Sequence, residues 1–314
     1  ALLSAVLATP GPGSSVSTIP ELAVKLGADR AEGLALRLKF VGGGGIAIRE
    51  VVSGNAQFGV FGISAAMNEN LRGPRLVALA AVEDRVPLSL MVRADLKGQV
   101  RKVSDLLGRA VGQHSNSATT VTNGQQFFNL LLRQNGLAPD AVRTVAAGQS
   151  FETQADALRS GLVDAVMSEE PFGLRLEQEG LAFALVRLGL PDSPLGLPGE
   201  GFLRGTLIGS AEVVETQPQL AQRMVRMVQR TLAWRRGRAA EEVAATLGLA
   251  GGEARAFTAM LRQYPRQFSG DGRFSEAQIE QTERFFRESA GPAPEAQRYR
   301  VASMIVDRWA GRKP

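Results

Sequence analysis

Cysteine is absent from the 314 residues, which excludes disulfides, thiolate metal sites and a cysteine nucleophile, while leaving the compartment open. Histidine occurs once, at His114, so a catalytic or metal-binding imidazole could only be this residue. A lone imidazole without cysteines or a carboxylate at ligand spacing is not a metal site, and its place in a polar loop reads as a hydrogen-bonded or solvated side chain. Aromatics with a polar edge are few: Trp234, Trp309, Tyr264 and Tyr299 all fall where C-terminal helices are expected, which argues against an aromatic cage for a quaternary amine. No apolar run approaches the ~20 residues of a membrane span. The opening ALLSAVLATP resembles the tail of a signal peptide but lacks a basic start, and it reads better as a first core strand over Leu2 to Leu7. Lysine and arginine exceed acidic residues by a net charge of +5, yet they are scattered. The single cluster, Arg235-Arg236-Gly237-Arg238, follows an amphipathic helix with no interleaved aromatics, so it is a solvated helix end and no nucleic-acid partner is expected.

What is present is an ordinary globular composition, 44% apolar and 21% charged, in a chain long enough for two modest domains without a covalent staple. One pattern occurs twice. Leu34, Leu36, Leu38 and Phe40 alternate as a strand and run into Gly42 to Gly45, a helix carries Ile48, Val51 and Val52, Ser53-Gly54 stops it, and Phe58 to Phe61 is a buried strand. About a hundred residues later Val142, Thr144 and Val145 end at Gly148, a helix carries Ala155 and Leu158, and Ser160-Gly161 stops it before Asp164-Ala165-Val166. Strand, Gly turn, helix, Ser-Gly, two residues, a polar residue (Gln57 or Asp164) and strand in each half predict two α/β lobes of similar build. A Gly turn between a strand's carboxyl end and a helix's amino end exposes unpaired N–H groups at the positive end of the helix dipole. Two lobes offering such turns to each other form a cleft for a small polar or anionic ligand.

Two apolar crossings, near Leu88 to Val92 and Leu203 to Gly209, divide the chain into lobe one (1–87 plus 203–314) and lobe two (88–202). Pro191 to Gly201 is a Pro/Gly-rich connection. From Glu215 onward the spacing predicts helices, with Leu220, Met224, Val228 and Leu232 on one face, then Ile279, Thr282 and Phe286, then Ala302, Ile305 and Trp309. The loop QHSNSATT opens the helix carrying Phe128 and Leu131, with Ser117 as its expected cap and Ser, Asn and Thr as donors toward an accepting ligand group.

The segments VGGGGIAIREVVSGNAQFGVFG, KVSDLLGRAVGQHSNSATT and NGLAPDAVRTVAAGQSFETQADALRSGLVDAVMSEEPF, with the helical tail, resemble periplasmic substrate-binding proteins of bacterial ABC importers. The nearest group serves nitrate, taurine, alkanesulfonates and thiamine-pyrimidine precursors. The resemblance implies an α/β, two-lobed periplasmic binding protein-like fold of type II topology with C-terminal helices on lobe one. It also implies a periplasmic monomer with its leader removed, one small-molecule ligand, no cofactor, and a membrane permease as partner. Carried over by position, the ligand contacts fall on Pro10, Gly11, Ser14 and Ser15, on the turn Gly43, Gly44 and Gly45, on Ser64 and Ala65, on His114, Ser115, Asn116, Ser117, Ala118 and Thr119, and on Glu169 and Pro171. Gln57 stands where the group often has Asp, and Ser-Asn-Ser where a Gly-Ser pair is frequent, so a characterised ligand does not transfer.

Other readings of the same residues are weaker. A dinucleotide fingerprint needs Gly where Ala47 stands and an acid ending the next strand. Glu169-Glu170 as paired catalytic carboxylates fails because neighbours on an extended segment point to opposite faces, so one of them serves as an acceptor or latch. Of Phe58, Phe61, Phe151, Phe172 and Phe202, one or two are expected to touch ligand and the rest to be core. A thiamine-pyrimidine synthase on this fold would need a Cys-rich motif, and a chorismate dehydratase would have only His114 and Glu169 for proton transfer. A ligand-sensing domain is the third class.

Overall fold

The computed structural model describes residues 1–192, 197 and 201–314, so most of the Pro191 to Gly201 connection lies outside the described residues. In chain order the main strands are β1 (Leu3–Thr9), β2 (Leu34–Phe40), β3 (Phe58–Gly62), β4 (Leu76–Ala81), β5 (Leu88–Arg93), β6 (Ala110–Gln113), β7 (Arg143–Ala146), β8 (Ala165–Glu169), β9 (Ala182–Arg187) and β10 (Gly205–Ser210). They form two five-stranded sheets, ordered β2-β1-β3-β10-β4 and β7-β6-β8-β5-β9. The second order is the first with each strand replaced by its counterpart. In both sheets the strand next to one edge runs antiparallel to its neighbours: β10 against β3 and β4, β5 against β8 and β9. Those two strands bring the chain into the second sheet and back to the first.

The repeat has a physical basis that the structure makes explicit. Gly42 (φ 86) and Gly148 (φ 85) turn each chain out of its strand in the left-handed region that favours glycine, and Gly54 (φ 83) and Gly161 (φ 74) end the helices the same way. Those helices, Gly44–Val52 and Phe151–Arg159, have nine residues each. The polar residue directly before each following strand has one task. Gln57 Oε1 accepts from the Val6 N–H at 2.8 Å, and Asp164 Oδ2 accepts from the Ala110 N–H at 3.1 Å. Each satisfies a backbone donor on the neighbouring strand, β1 or β6, just before the two strands begin to pair, so glutamine replaces aspartate without changing the geometry.

The helix Pro218–Arg235 buries Leu220, Met224, Val228 and Leu232 among Leu7, Ile19, Leu22, Val60 and Leu207 of lobe one. The tail also reaches the second lobe. In the helix Glu276–Ala290, Phe285 stacks on Phe127 of the helix Asn123–Gln134 with ring centres 4.1 Å apart, and Phe202 lies 5.3 Å from Phe285. The expected last helix is absent: only Val301–Met304 makes a 3-10 turn, after which Ile305 pairs in parallel with Ala78 and Val306 N–H donates to Ala78 O. The free edge of β4 recruits the segment as an extended cover, which its helical spacing did not foretell. Trp234 is the one tryptophan or tyrosine inside a helix; Tyr264 and Tyr299 follow helix ends.

Candidate ligand site between the lobes

The carboxyl ends of β1 to β3 and of β6 to β8 face each other, as open α/β sheets require of a binding crevice. The lobes meet directly there. Asn116 N–H donates to Gly42 O at 2.7 Å, and Ser15 N–H donates to Glu170 O at 2.9 Å. What remains between them is a small cavity of about 40 Å³, and beside it a groove of about 830 Å³; Pro10 and Gln149 belong to the walls of both.

Arg204, on the residue before β10, organises the cavity. Its Nη1 lies 2.5 Å from Glu83 Oε1 and 3.0 Å from Glu169 Oε1, and its Nε donates to Asn123 Oδ1 at 3.2 Å. Glu169 Oε1 also accepts from the Ser15 hydroxyl at 2.7 Å and the Val16 N–H at 3.0 Å, so one carboxylate ties lobe two to the first loop of lobe one. Burial works against ionisation of Glu169, yet Arg204 foremost, with His114 and these hydrogen bonds, holds its carboxyl below the usual range. Burial pushes Glu83 up against the pull of Arg204, and the charge of Glu169 adds to the rise. One guanidinium therefore serves two carboxyls of which Glu169 is the charged partner. Glu170 points the other way, toward Ser89, Arg187 (3.1 Å) and the Leu174 N–H (2.8 Å).

His114 presents a fixed tautomer. Its Nδ1 faces two donors, the Glu169 N–H at 3.3 Å and the Gln154 amide at 2.8 Å, so the proton sits on Nε2. Burial, with the Arg204 charge beside it, pulls the imidazole down to about 4 despite Glu169, so the ring is neutral at pH 7. Nε2 is buried without a partner, as are Gln113 Nε2 and Gln149 Oε1, and all three residues line the cavity. Buried polar atoms are nearly always paired, and three orphans around one void mark a place built for something else to bind. Below pH 6.5 the unfolded chain takes up a proton that folded His114 refuses until about 4. We expect wild type to lose about 3 kcal/mol across that interval relative to His114→Gln in denaturation at several pH values. Parallel curves would show the imidazole is not held neutral.

The residues expected in the site divide into groups. Pro10, Gly44, Ala65, His114 and Glu169 line the cavity, and Gly11 and Asn116, with Pro10 again, line the groove. Ser14 and Ser15 stand behind, donating to Gly11 O and Glu169, and Ser64 is committed to Asn123 and Gln126. Gly43 and Gly45 press against Ser115 and Thr120. Pro171, after a cis peptide bond, caps the helix Phe172–Gln178 and lines neither space. Ser117, Ala118 and Thr119 also line neither, and Ser117 does not cap the following helix. Thr122 does, accepting from the Gln125 N–H at 3.1 Å, while Ser117 Oγ closes a local turn through the N–H groups of Thr119 and Thr120. The loop runs on past the expected cap, which turns its middle outward. Of the phenylalanines, Phe61 lines the cavity, Phe151 and Phe172 the groove, and Phe58 and Phe202 are core. Gln113, Asn123, Gln149 and Arg204 escaped the sequence reading. The repeat itself pointed to Gln149, which follows the second Gly turn, and Arg204 is a lone charge in an apolar stretch.

A family profile described as "NMT1/THI5 like" matches residues 22–238, more than half of the chain. The chain belongs to the NMT1/THI5-like family. A search among curated proteins gives no match. Solved structures similar to this family member include a protein from Bordetella bronchiseptica RB50 (20% identity, TM-score 0.88, covering 98% of this chain and 95% of that one). The alkanesulfonate-binding protein SsuA from Xanthomonas axonopodis pv. citri, bound to MOPS, is similar at 16% identity and TM-score 0.74, over 97% of this chain and 98% of that one. The desulfurization enzyme DszB aligns at 18% identity and TM-score 0.60, over 98% and 97%. At these identities the likeness concerns the fold, the two-lobed periplasmic binding protein fold, which serves receptors and at least one enzyme. Within the NMT1/THI5-like chain the matched stretch leaves out Pro10 to Ser15 and the tail beyond Arg238, which together supply part of the groove wall.

Proposed function

We propose that this protein is a periplasmic, monomeric solute-binding receptor of an ABC-type importer. It takes up one small organic solute between its lobes and hands it to a membrane permease. The observation that carries this reading is the set of buried, unpartnered polar atoms on Gln113, His114 and Gln149, three residues that line a void between the lobes. Two of the three are donors, Gln113 Nε2 and His114 Nε2–H, so the solute group placed there accepts hydrogen bonds: a carboxylate, sulfonate or comparable oxygen group. Family membership and the fold support the receptor reading. The lobe limits we propose are residues 1–87 plus 203–314 and residues 88–202, in keeping with the strand membership of the two sheets.

The arrangement favours binding over turnover. Arg204 and Glu169 hold each other, and His114 Nδ1, the base nitrogen, is already occupied by two donors. Both lobes must contact the solute for it to select the closed state. Mass spectrometry of small molecules released by denaturing the purified protein should show one solute, recovered unchanged when added back. A bound compound converted over many cycles would instead make the protein an enzyme on this fold.

A further inference from the structure

We propose that the solute is an acid with a flat aromatic body, its oxygen head in the inner cavity and its ring in the outer groove against Phe172. This deepens the receptor reading and rests on it. A cavity of about 40 Å³ holds a group of a few heavy atoms, since one water needs roughly 10–15 Å³ by the same measure. A whole organic solute therefore extends beyond it, and the space available is the groove of about 830 Å³ that shares Pro10 and Gln149 with the cavity. The two compartments are joined by an aromatic ledge. His114, which lines the cavity and whose buried Nε2 has no partner, stacks on Phe172 with ring centres 5.0 Å apart and planes at 22°, and Phe172 lines the groove. Flat surfaces continue beyond it: the Arg175 guanidinium lies 3.8 Å over the Phe151 ring, and Phe40 is exposed at the rim. Such planes favour a flat π-system in offset stacking.

Gln149 stands between the compartments. It is 8% exposed, its Nε2 donates to His114 O, and its Oε1 has no partner. It is thus held by one end, with an unpartnered acceptor where the two spaces share a wall. The charged groups around the groove are three acids, Glu21, Glu152 and Glu253, against two bases, Lys25 and Arg175, so the groove offers no second anion site.

The test is calorimetric titration of the full chain, freed of solute by exhaustive dialysis, with acetate, benzoate, methanesulfonate and benzenesulfonate. The aryl acid of at least one pair should bind at least about tenfold more tightly than its methyl counterpart. Phe172→Leu should remove most of that difference and leave the methyl acid within about twofold. Because Phe172 is also packed, Phe40→Ala at the open rim of the groove serves as the second variant, lowering aryl affinity alone. Equal aryl and methyl affinities, or a preference that survives both substitutions, would overturn the aromatic body and leave the receptor intact. Failure of all four probes also overturns it; the receptor reading is then judged by the released solute, which does not depend on head or body chemistry.

Discussion

Arg204→Met is expected to cost about 3–5 kcal/mol of stability in denaturant titration at pH 7, the loss typical of a buried ion pair deprived of one partner. The reason is local. Glu83 is fully buried and Glu169 is 5% exposed, and both rely on the same guanidinium nitrogen. Without it, burial of Glu169 is opposed only by His114 and the hydrogen bonds from Ser15 and Val16, and both carboxyls should rise above the unfolded value of 4.5. A carboxyl with a raised folded pKa favours the fold below the unfolded value and loses that stability as pH rises through the folded one, so the deficit should be largest at neutral pH and shrink toward pH 5. In wild type the sign for Glu169 is opposite: its lowered carboxyl contributes above 4.5 and the contribution is lost as pH falls through the folded value. Adding Glu83→Gln and Glu169→Gln to Arg204→Met should restore much of the loss. A deficit independent of pH, or none, would refute this account of the cavity.

Gly45→Ala should weaken solute binding by about a hundredfold, about 2.8 kcal/mol, without unfolding the protein. A Cβ on Gly45 would lie 2.5 Å from Thr120 Cβ and 2.9 Å from the backbone oxygen of Val121, both on the other lobe. A backbone atom cannot swing aside, so the lobes must part. Within its own helix the change is favourable, since alanine is better than glycine there by roughly 0.5–1 kcal/mol. Thermal stability of the solute-free protein should therefore hold or rise, while small-angle scattering at saturating solute should show a larger radius of gyration than wild type. Full affinity together with the wild-type radius would mean that the Gly turn does not set how closely the lobes meet.

The same contrast separates what was legible in the sequence from what was not. The repeated unit could be read because each copy satisfies its own needs within about thirty residues: Gly42 and Gly148 make the turns, Gly54 and Gly161 stop the helices, and Gln57 and Asp164 settle a neighbouring strand's donor. Local conformational demands leave local signatures, and two copies of one signature imply two lobes with strand ends facing. The absence of cysteine likewise fixed what chemistry was impossible. The cavity left no such trace. Glu83, Gln113, Gln149, Glu169 and Arg204 are separated by up to 121 residues along the chain, and nothing in the neighbourhood of any one of them states which others it will meet. Arg204 becomes a buried cation with two carboxyls, and His114 a neutral donor, only when the lobes bring those groups within hydrogen-bond reach. For the same reason the Ser117 cap and the last helix were misread from spacing. A helix start is chosen by where the chain must turn to reach its packing partner, and the Ile305 segment is extended because Ala78 offers an open strand edge. Pattern determined the units and their pairing; contact between residues distant in sequence determined the charge, protonation and unfilled hydrogen bonds of the site.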